Sequence, residues 1–529
     1  MTNSAQPPQE LTSPLHLESA TLEAIAERGV TVPAYDRVAI SPGIVHFGVG
    51  GFHRAHMAMV LDDLMNQGRA SDWGIVGAGV LPGDERMRDA LSAQDHLYTL
   101  VLKHADGTRE RRVIGSIVDY RFGPDDPEAL VALLADPRIR IVSLTVTEGG
   151  YNVNPVTGEF IADDPTILTD VEALASRRLP STVFGYVIEA LRRRRQARIA
   201  PFTVQSCDNI AGNGHVAKAM FTAFAHLVDP DLAEWIDTHV PFPNSMVDRI
   251  TPATSEEDRA DLRADVGLDD AWPVVAEPFF QWVVEDRFTA GRPEYERADV
   301  QVVDDVTPYE HMKLRLLNSS HQGLAYFGML AGYIYAHEAM ADPDIAGYLR
   351  RYMDEEGTPS LEPVPGIDLA EYKDTLIERF SNPEIRDTLA RLGADSSDRI
   401  PKWLIPVVID NLGSGAPVAV SAAICASWAR YFEGIDERGE PFAFIDRCTA
   451  ELREAAHRQV EHGQAEQGRA ASGRVEQAHD PLAFVRQERF FGPLAEDPRF
   501  TEPYLAALSS LHERGARETV RRLAAHEKL

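Results

Sequence analysis

Apolar positions along the chain change their spacing near residue 305. From Ile44 to that point, short apolar runs bounded by Gly, Pro and polar residues alternate with stretches whose apolar positions recur every three to four residues. The runs Ile44–Phe47, Gly74–Gly79, Arg112–Ile117, Ile139–Thr147 and Phe202–Cys207 predict strands. Between them, Ala55, Met59, Leu61 and Leu64 and the stretches Pro127–Ala135 and Ser181–Arg195 predict helices. Strands alternating with helices pair in parallel, so an α/β sheet is expected. Beyond residue 305 the helical spacing dominates. Helices are expected at 311–335, 342–354, 368–392, 402–412, 416–434, 442–463 and 500–526, with Gly and Pro at their joints. The expected organisation is an α/β domain over 1–304, whose first 40 residues form a tail with one amphipathic helix near Leu17–Ala26, and a mainly helical domain over 305–529. Arg453–Ala478 is polar on nearly every face and reads as an exposed helix or a loose insertion.

Composition narrows the function classes. The chain has 529 residues, 82 acidic against 52 basic side chains and a net charge of -30. Nucleic acid and anionic membranes select a basic face, so neither is expected as the partner. The run Arg192–Arg195 reads as the basic C-terminal end of a helix. Three cysteines, Cys207, Cys425 and Cys448, are too scattered for a disulfide framework or a Cys-rich zinc site. Met1–Pro14 has neither a basic n-region nor an apolar h-region, and no apolar run is long enough for a spanning helix, so a cytoplasmic protein is expected. His53 and His56 lack a third ligand nearby, so no metal site is expected there.

Ile44–Phe47 runs into Gly48-Val-Gly50-Gly51-Phe52, the front half of a dinucleotide fingerprint. The first glycine permits the tight turn and the second lets backbone approach a pyrophosphate. His53 stands where the third glycine belongs, and on pattern alone an ordinary glycine turn is an equal alternative. Asp84 follows the second strand, where an acid binds the adenosine ribose, but at an interval longer than usual, so on position alone a solvated loop acid is the simpler explanation. Facing the ribose, its charge would repel a 2′-phosphate and favour NAD.

A second constellation lies in Glu310-His-Met-Lys313-Leu-Arg-Leu-Leu-Asn318-Ser-Ser-His321. On an α-helix at about 100° per residue, with Lys313 at zero, Glu310 falls near 60°, His321 near 80° and Asn318 near 140°. One face then presents an amine, an amide and an imidazole, although on spacing alone a solvated helix face is the simpler explanation. Oxidation of a secondary alcohol needs such a set: a lysine of lowered pKa takes the hydroxyl proton and amides stabilise the developing alkoxide. Asn209, in Ser206-Cys-Asp-Asn209, and Glu148, in Thr147-Glu-Gly-Gly-Tyr151, each follow a predicted strand, where open α/β sheets bind ligands. Strand-ending turns explain both equally.

The runs Gly48-Val-Gly-Gly-Phe-His-Arg-Ala-His56, Thr147-Glu-Gly-Gly-Tyr151, Ser206-Cys-Asp-Asn209, Met246-Val-Asp-Arg-Ile-Thr-Pro252 and Lys313-x4-Asn318-x2-His321 together resemble the polyol-specific long-chain dehydrogenase/reductase family. The resemblance extends from about Pro33 to residue 450 and continues weakly beyond. It implies a Rossmann-type domain, a mainly α-helical C-terminal domain and an active site in the cleft between them. It implies NAD as cofactor, no zinc, and Lys313 as general base, with Glu310 relaying its proton. Asn209 and Asn318 are implied as the amides at the reacting oxygen, and His321 and Asp248 at substrate hydroxyls. Arg391, with Arg399 nearby, is implied at the distal end of the substrate. Gly48, Gly50, Gly51, Phe52, Asp84 and Glu148 are implied around the cofactor. The reaction implied is interconversion of D-mannitol and D-fructose by a monomer. Arabinitol oxidation and fructuronate reduction are alternatives within the family, and a non-catalytic nucleotide or sugar sensor is the alternative outside it. The sequence departs from the family pattern at Gly83, where an acid is frequent, and at Asp395-Ser-Ser-Asp-Arg399, where the family has Asp-Gly-Ser-Ser-Lys.

Overall fold

A computed structural model of the chain describes residues 14–154, 157–460 and 480–529. It comprises two compact units, Met1–Thr307 and Pro308–Leu529.

The first unit is built on a five-stranded parallel sheet of β1 (Pro42–Phe47), β2 (Gly74–Gly79), β3 (Ile117–Phe122), β4 (Ile141–Leu144) and β5 (Thr203–Ser206). Their spatial order is β3-β2-β1-β4-β5, the order of a Rossmann sheet without its sixth strand. Val45, Phe47, Val76, Ala78, Val142 and Leu144 enter one core, and Ile44, Ile75 and Ile141 enter another. Successive strand residues point to opposite faces, so both faces are covered, which explains the near-continuous apolar runs.

Three expectations for this unit need correction. Arg112–Ile117 is not one strand. Arg109–Ile114 pairs antiparallel with Tyr98–Lys103, in a separate sheet with Val274–Ala276, and β3 begins only at Ile117. The break falls at Gly115, where a Cβ would lie 2.9 Å from the Pro33 ring and whose N–H donates to Asp62 (2.9 Å). The residues after 14 are not a tail. Leu15–His16 pairs with Leu268–Asp269, and Leu17, Ile25 and Val30 are buried with Val113 and Val275. The helix after the glycine turn is two helices, α1 (Gly51–Ala55) and α2 (Met57–Asn66), broken at His56 with φ -124° and ψ -95°.

The second unit is helical. Its first helix runs as α3 (Thr307–Met312), a π-helical segment Lys313–Asn318, and α4 (Ser319–Leu330). The stretch 342–354 is α5 (Pro343–Tyr352) followed by a second π-helical segment, Met353–Gly357. The helix expected over 368–392 breaks after Phe380 at Ser381-Asn382-Pro383, because proline cannot continue the hydrogen-bond ladder. Two short helices follow, α6 (Leu389–Leu392) and α7 (Ser396–Trp403), the latter covering residues read as a joint. Among the described residues of the expected 442–463 helix, only Thr449–Arg458 is helical. The polar stretch 453–478 lies largely outside the described residues. α8 (Ala419–Phe432) packs against α4 and against the C-terminal stretch α9 (Pro498–Ala524), two helices joined by a kink at Gly515 (φ +82°, ψ 173°). No described helix is long and apolar enough to cross a membrane.

Glu356 is fully buried and takes the place of an N-cap for α8. Its carboxylate accepts hydrogen bonds from the N–H groups of Val420 and Ser421 (both 2.7 Å) and from the Ser421 hydroxyl (2.5 Å). Burial nevertheless pushes its pKa up to about 7. The folded state therefore holds a proton that the unfolded chain releases near pH 4.3. This contribution to stability is complete below pH 4.3 and lost as pH rises through 7. Glu356→Gln removes the titration. Urea unfolding of both chains at pH 4 and pH 8 is expected to show the variant gaining on the natural chain by about 3 kcal/mol.

Candidate active site

Gly48 leaves β1 with φ +91°, and a Cβ there would lie 2.0 Å from the Thr145 carbonyl oxygen. Only glycine fits this turn. The Gly48 carbonyl accepts the Gly50 N–H (2.6 Å) and the Thr145 hydroxyl (2.7 Å), which closes the turn against the end of β4. Gly50 caps α1, and the space where its Cβ would stand is open, with the nearest atom at 3.8 Å. A Cβ at Gly51 would meet Thr251 at 3.4 Å. The turn thus offers bare backbone N–H groups at a helix start, as a pyrophosphate requires.

The missing third glycine has a structural explanation. That glycine ordinarily lets helix and strand approach closely. Here the His53 ring lies flat on the His46 ring of β1, with centroids 3.4 Å apart and planes 12° apart, so a stacked pair fills the interface. Burial pushes His46 down to about 3 and His53 well below its ordinary value, so both rings are neutral. His56 stacks instead on Phe52, at 4.7 Å. Among the described residues no cluster of three His, Cys, Asp or Glu side chains forms a metal site.

Asp84 folds back onto the end of β2. Its Oδ2 accepts the N–H groups of Val80 and Leu81 (both 2.9 Å). Gly79 permits this, since a Cβ there would lie 2.6 Å from the Asp84 Cβ. The long sequence interval is therefore taken up by a 3-10 turn, Pro82–Asp84, and the carboxylate still stands at a strand end. These features of the turn and of Asp84 fit a dinucleotide.

Glu148 and Asn209 follow β4 and β5 and are both exposed. Their loops are fastened by Asp208, which the sequence shows only as a member of the run Ser206-Cys-Asp-Asn209, with no role of its own. Its carboxylate accepts the N–H groups of Thr147 (2.8 Å) and Val146 (3.1 Å) and the Tyr151 hydroxyl (2.7 Å). Burial raises its pKa to about 6. Thr147 carries φ +63° and ψ 172°, a strained conformation for a side-chain-bearing residue, and Asp208 holds it there. Asn213 donates to the carbonyls of Asp208 (2.9 Å) and Ser245 (2.7 Å), which links the Asn209 turn to strand Ser245–Asp248. Asp248, at the end of that strand, is buried. Glu148, Asn209 and Asp248 thus stand on three segments joined by one polar network.

In the second unit, Lys313 and Asn318 open and close the π-helical segment, with Glu310 one turn before and His321 in the first turn of α4. An α-helix would separate Lys313 and Asn318 by about 140°. Closing the helix with i→i+5 bonds raises the number of residues per turn and narrows that angle, so the two share a face more closely than the α-helical reading allowed. Both are buried, and the Asn318 side-chain oxygen has no hydrogen-bond partner among the described residues. The His321 ring packs on Phe380, at 4.4 Å. Arg391 is held by Asp387 through its Nε (2.6 Å) and a second guanidinium nitrogen. Arg399 donates to the carbonyls of Arg391 (3.3 Å) and Leu392 (3.2 Å) and lies over Trp403. The two arginines are therefore neighbours, although neither guanidinium is without an intramolecular partner.

Residues 42–297 match the family model of the mannitol dehydrogenase Rossmann domain, and 305–510 match that of the mannitol dehydrogenase C-terminal domain. Mannitol 2-dehydrogenase of Phaeosphaeria nodorum is 43% identical over 97% of this chain and 87% of its own length. That of Aspergillus fumigatus is 43% identical over 96% of this chain and 99% of its own. Among solved structures, Pseudomonas fluorescens mannitol 2-dehydrogenase in ternary complex with NAD and D-mannitol has 43% identity and a TM-score of 0.82, covering 97% of this chain and all of that one. A substrate-free D-sorbitol dehydrogenase has 36% identity and a TM-score of 0.85, covering 96% of this chain. The chain belongs to the mannitol dehydrogenase family.

Proposed function

We propose that this chain oxidises D-mannitol to D-fructose, reversibly, with NAD as hydride acceptor and without zinc. What supports this most is 43% identity along nearly the whole chain to an enzyme solved with NAD and D-mannitol, together with a buried lysine and amide on one turn of helix. In this reading the segment 1–304 holds the nucleotide through Gly48, Gly50, Gly51, Phe52, Asp84 and Glu148, and 305–529 carries the catalytic helix. NAD, when bound, supplies the electrophilic ring that takes the hydride. Lys313 accepts the hydroxyl proton and Glu310 passes it outward. Asn209 and Asn318 donate to the oxygen as it gains charge, a stabilisation worth more in a dry site than in water. His321 and Asp248 hold neighbouring hydroxyls, and Arg391 and Arg399 bind the distal end. A neutral polyol also suits a chain of net charge -30. The protein works as a cytoplasmic monomer and needs neither nucleic acid nor membrane.

Steady-state rates with D-mannitol, D-arabinitol, D-sorbitol and fructuronate, each with NAD or NADP (or its reduced form) and with a chelator present, test the assignment. D-mannitol with NAD should give the highest kcat/KM. A value below one hundredth of the best substrate would overturn the substrate assignment, and activity abolished by the chelator would overturn the metal-free reaction.

A further inference from the structure

The π-helical segment Lys313–Asn318 raises a question of support. A π-turn inserts one residue into an α-helix and weakens its hydrogen bonding, so it persists only where neighbours hold it, frequently at functional sites. The neighbours here are specific. Tyr352, fully buried at the end of α5, donates its hydroxyl to the carbonyl oxygen of Arg315 in the middle of the segment, at 2.8 Å. Ser319 donates to the Leu314 carbonyl at 3.1 Å. The Arg315 guanidinium is fixed at its far end by the Ser360 carbonyl (2.5 Å) and Asp410 (2.7 Å). Directly after Tyr352 comes the second π-helical segment. Its Gly357 is so close that a Cβ would stand 2.8 Å from Leu316 Cδ2. Backbone and side chain of Arg315 are thus gripped by the chain running from Tyr352 to Ser360, with Asp410 completing the hold on the guanidinium, and Glu356 anchors that chain to the start of α8.

We propose that Tyr352 is a positioning residue: its hydroxyl, through the Arg315 carbonyl, holds the π-turn that sets Lys313 and Asn318 on one face. It acts on turnover only through the register of the segment. The proposal rests on reading Lys313 and Asn318 as base and alkoxide donor. Without the Tyr352 hydroxyl the segment loses the bond that favours five residues per closed ring over four, and the base and the amide no longer converge on one oxygen.

The test is a double-mutant cycle in the full chain, since coupled residues show non-additive effects. Tyr352→Phe keeps the ring and removes only the hydroxyl. It should lower kcat for D-mannitol oxidation by at least tenfold, with KM and the NAD dissociation constant within threefold and the melting temperature within a few degrees. In an Asn318→Ala background the same substitution should cost less than twofold, because the geometry it protects no longer matters. Equal losses in both backgrounds, or an unchanged kcat, would overturn the proposal. Asn318→Ala alone leaving kcat unchanged would instead count against the functional reading. Gly357→Ala gives a second route if Tyr352→Phe does not fold. Its φ of -65° tolerates a side chain, and the added Cβ presses on Leu316 within the same segment. It should show the same loss and the same non-additivity, and an additive loss there would equally overturn the proposal.

Discussion

Lys313→Ala is expected to lower kcat for polyol oxidation by roughly a thousandfold, within the range a positioned general base contributes. NAD should bind the variant within threefold of the natural chain, because the glycine turn and Asp84 lie in the first unit and Lys313 in the second. Lys313 is buried at the start of the π-turn. Truncation therefore removes the amine without disturbing the apolar side chains of Leu316 and Leu317 that bury the helix. Lys313→Arg should not restore the rate, since a guanidinium stays protonated and cannot act as a base. A small primary amine added to the alanine variant should restore part of it. Stopped-flow turnover and fluorescence titration of NADH separate the two readouts. Unchanged turnover in Lys313→Ala would refute the assignment of the base.

The second large effect is expected at Gly48. Alanine there meets two obstacles together: φ of +91° and a Cβ 2.0 Å from backbone oxygen at Thr145. Backbone at the end of β4 cannot yield as a flexible side chain would. Gly48→Ala is therefore expected to cost more than about 3 kcal/mol of stability, well above an ordinary substitution, and to weaken NAD binding at least a hundredfold. Gly50→Ala is the discriminating partner. With φ of -94° and its nearest neighbour at 3.8 Å, it should fold normally and yet bind NAD poorly, because the methyl group occupies the approach of the pyrophosphate. Thermal melting and NAD titration of both variants check this. Natural NAD affinity in Gly50→Ala would contradict the placement of the pyrophosphate on this turn.

Much of the first unit was legible because its chemistry is local. Buried parallel strands need apolar residues on both faces, so β1, β2, β4 and β5 announce themselves as runs. The strand Tyr98–Lys103 and its partner Val274–Ala276 went unread, and its other partner, Arg109–Ile114, was legible only in part, as the start of the run Arg112–Ile117. They form a small separate sheet whose pairing with Val274–Ala276 spans far in sequence and leaves no local mark. The glycine turn was legible, but His53 was not, since its meaning depends on His46 across the helix–strand interface. In the second unit the order of Glu310, Lys313, Asn318 and His321 was visible and their geometry was not. Residue spacing does not distinguish i→i+4 from i→i+5 bonding, and the difference rests on Tyr352, far along the chain. Asp208 carried a signal that could have been followed, a carboxylate beside Asn209 at a strand end. Its role depends on Thr147, whose strained backbone appears only in three dimensions.

The central claim, direct hydride transfer from a polyol carbinol carbon to NAD, is tested by isotope. D-mannitol has a two-fold axis, so it is deuterated at the equivalent C2 and C5 positions, and the reduced cofactor is analysed by mass spectrometry. The predicted result is one deuterium per NADH formed, with fructose as the product. Unlabelled NADH, or no NADH from D-mannitol at all, would contradict the account.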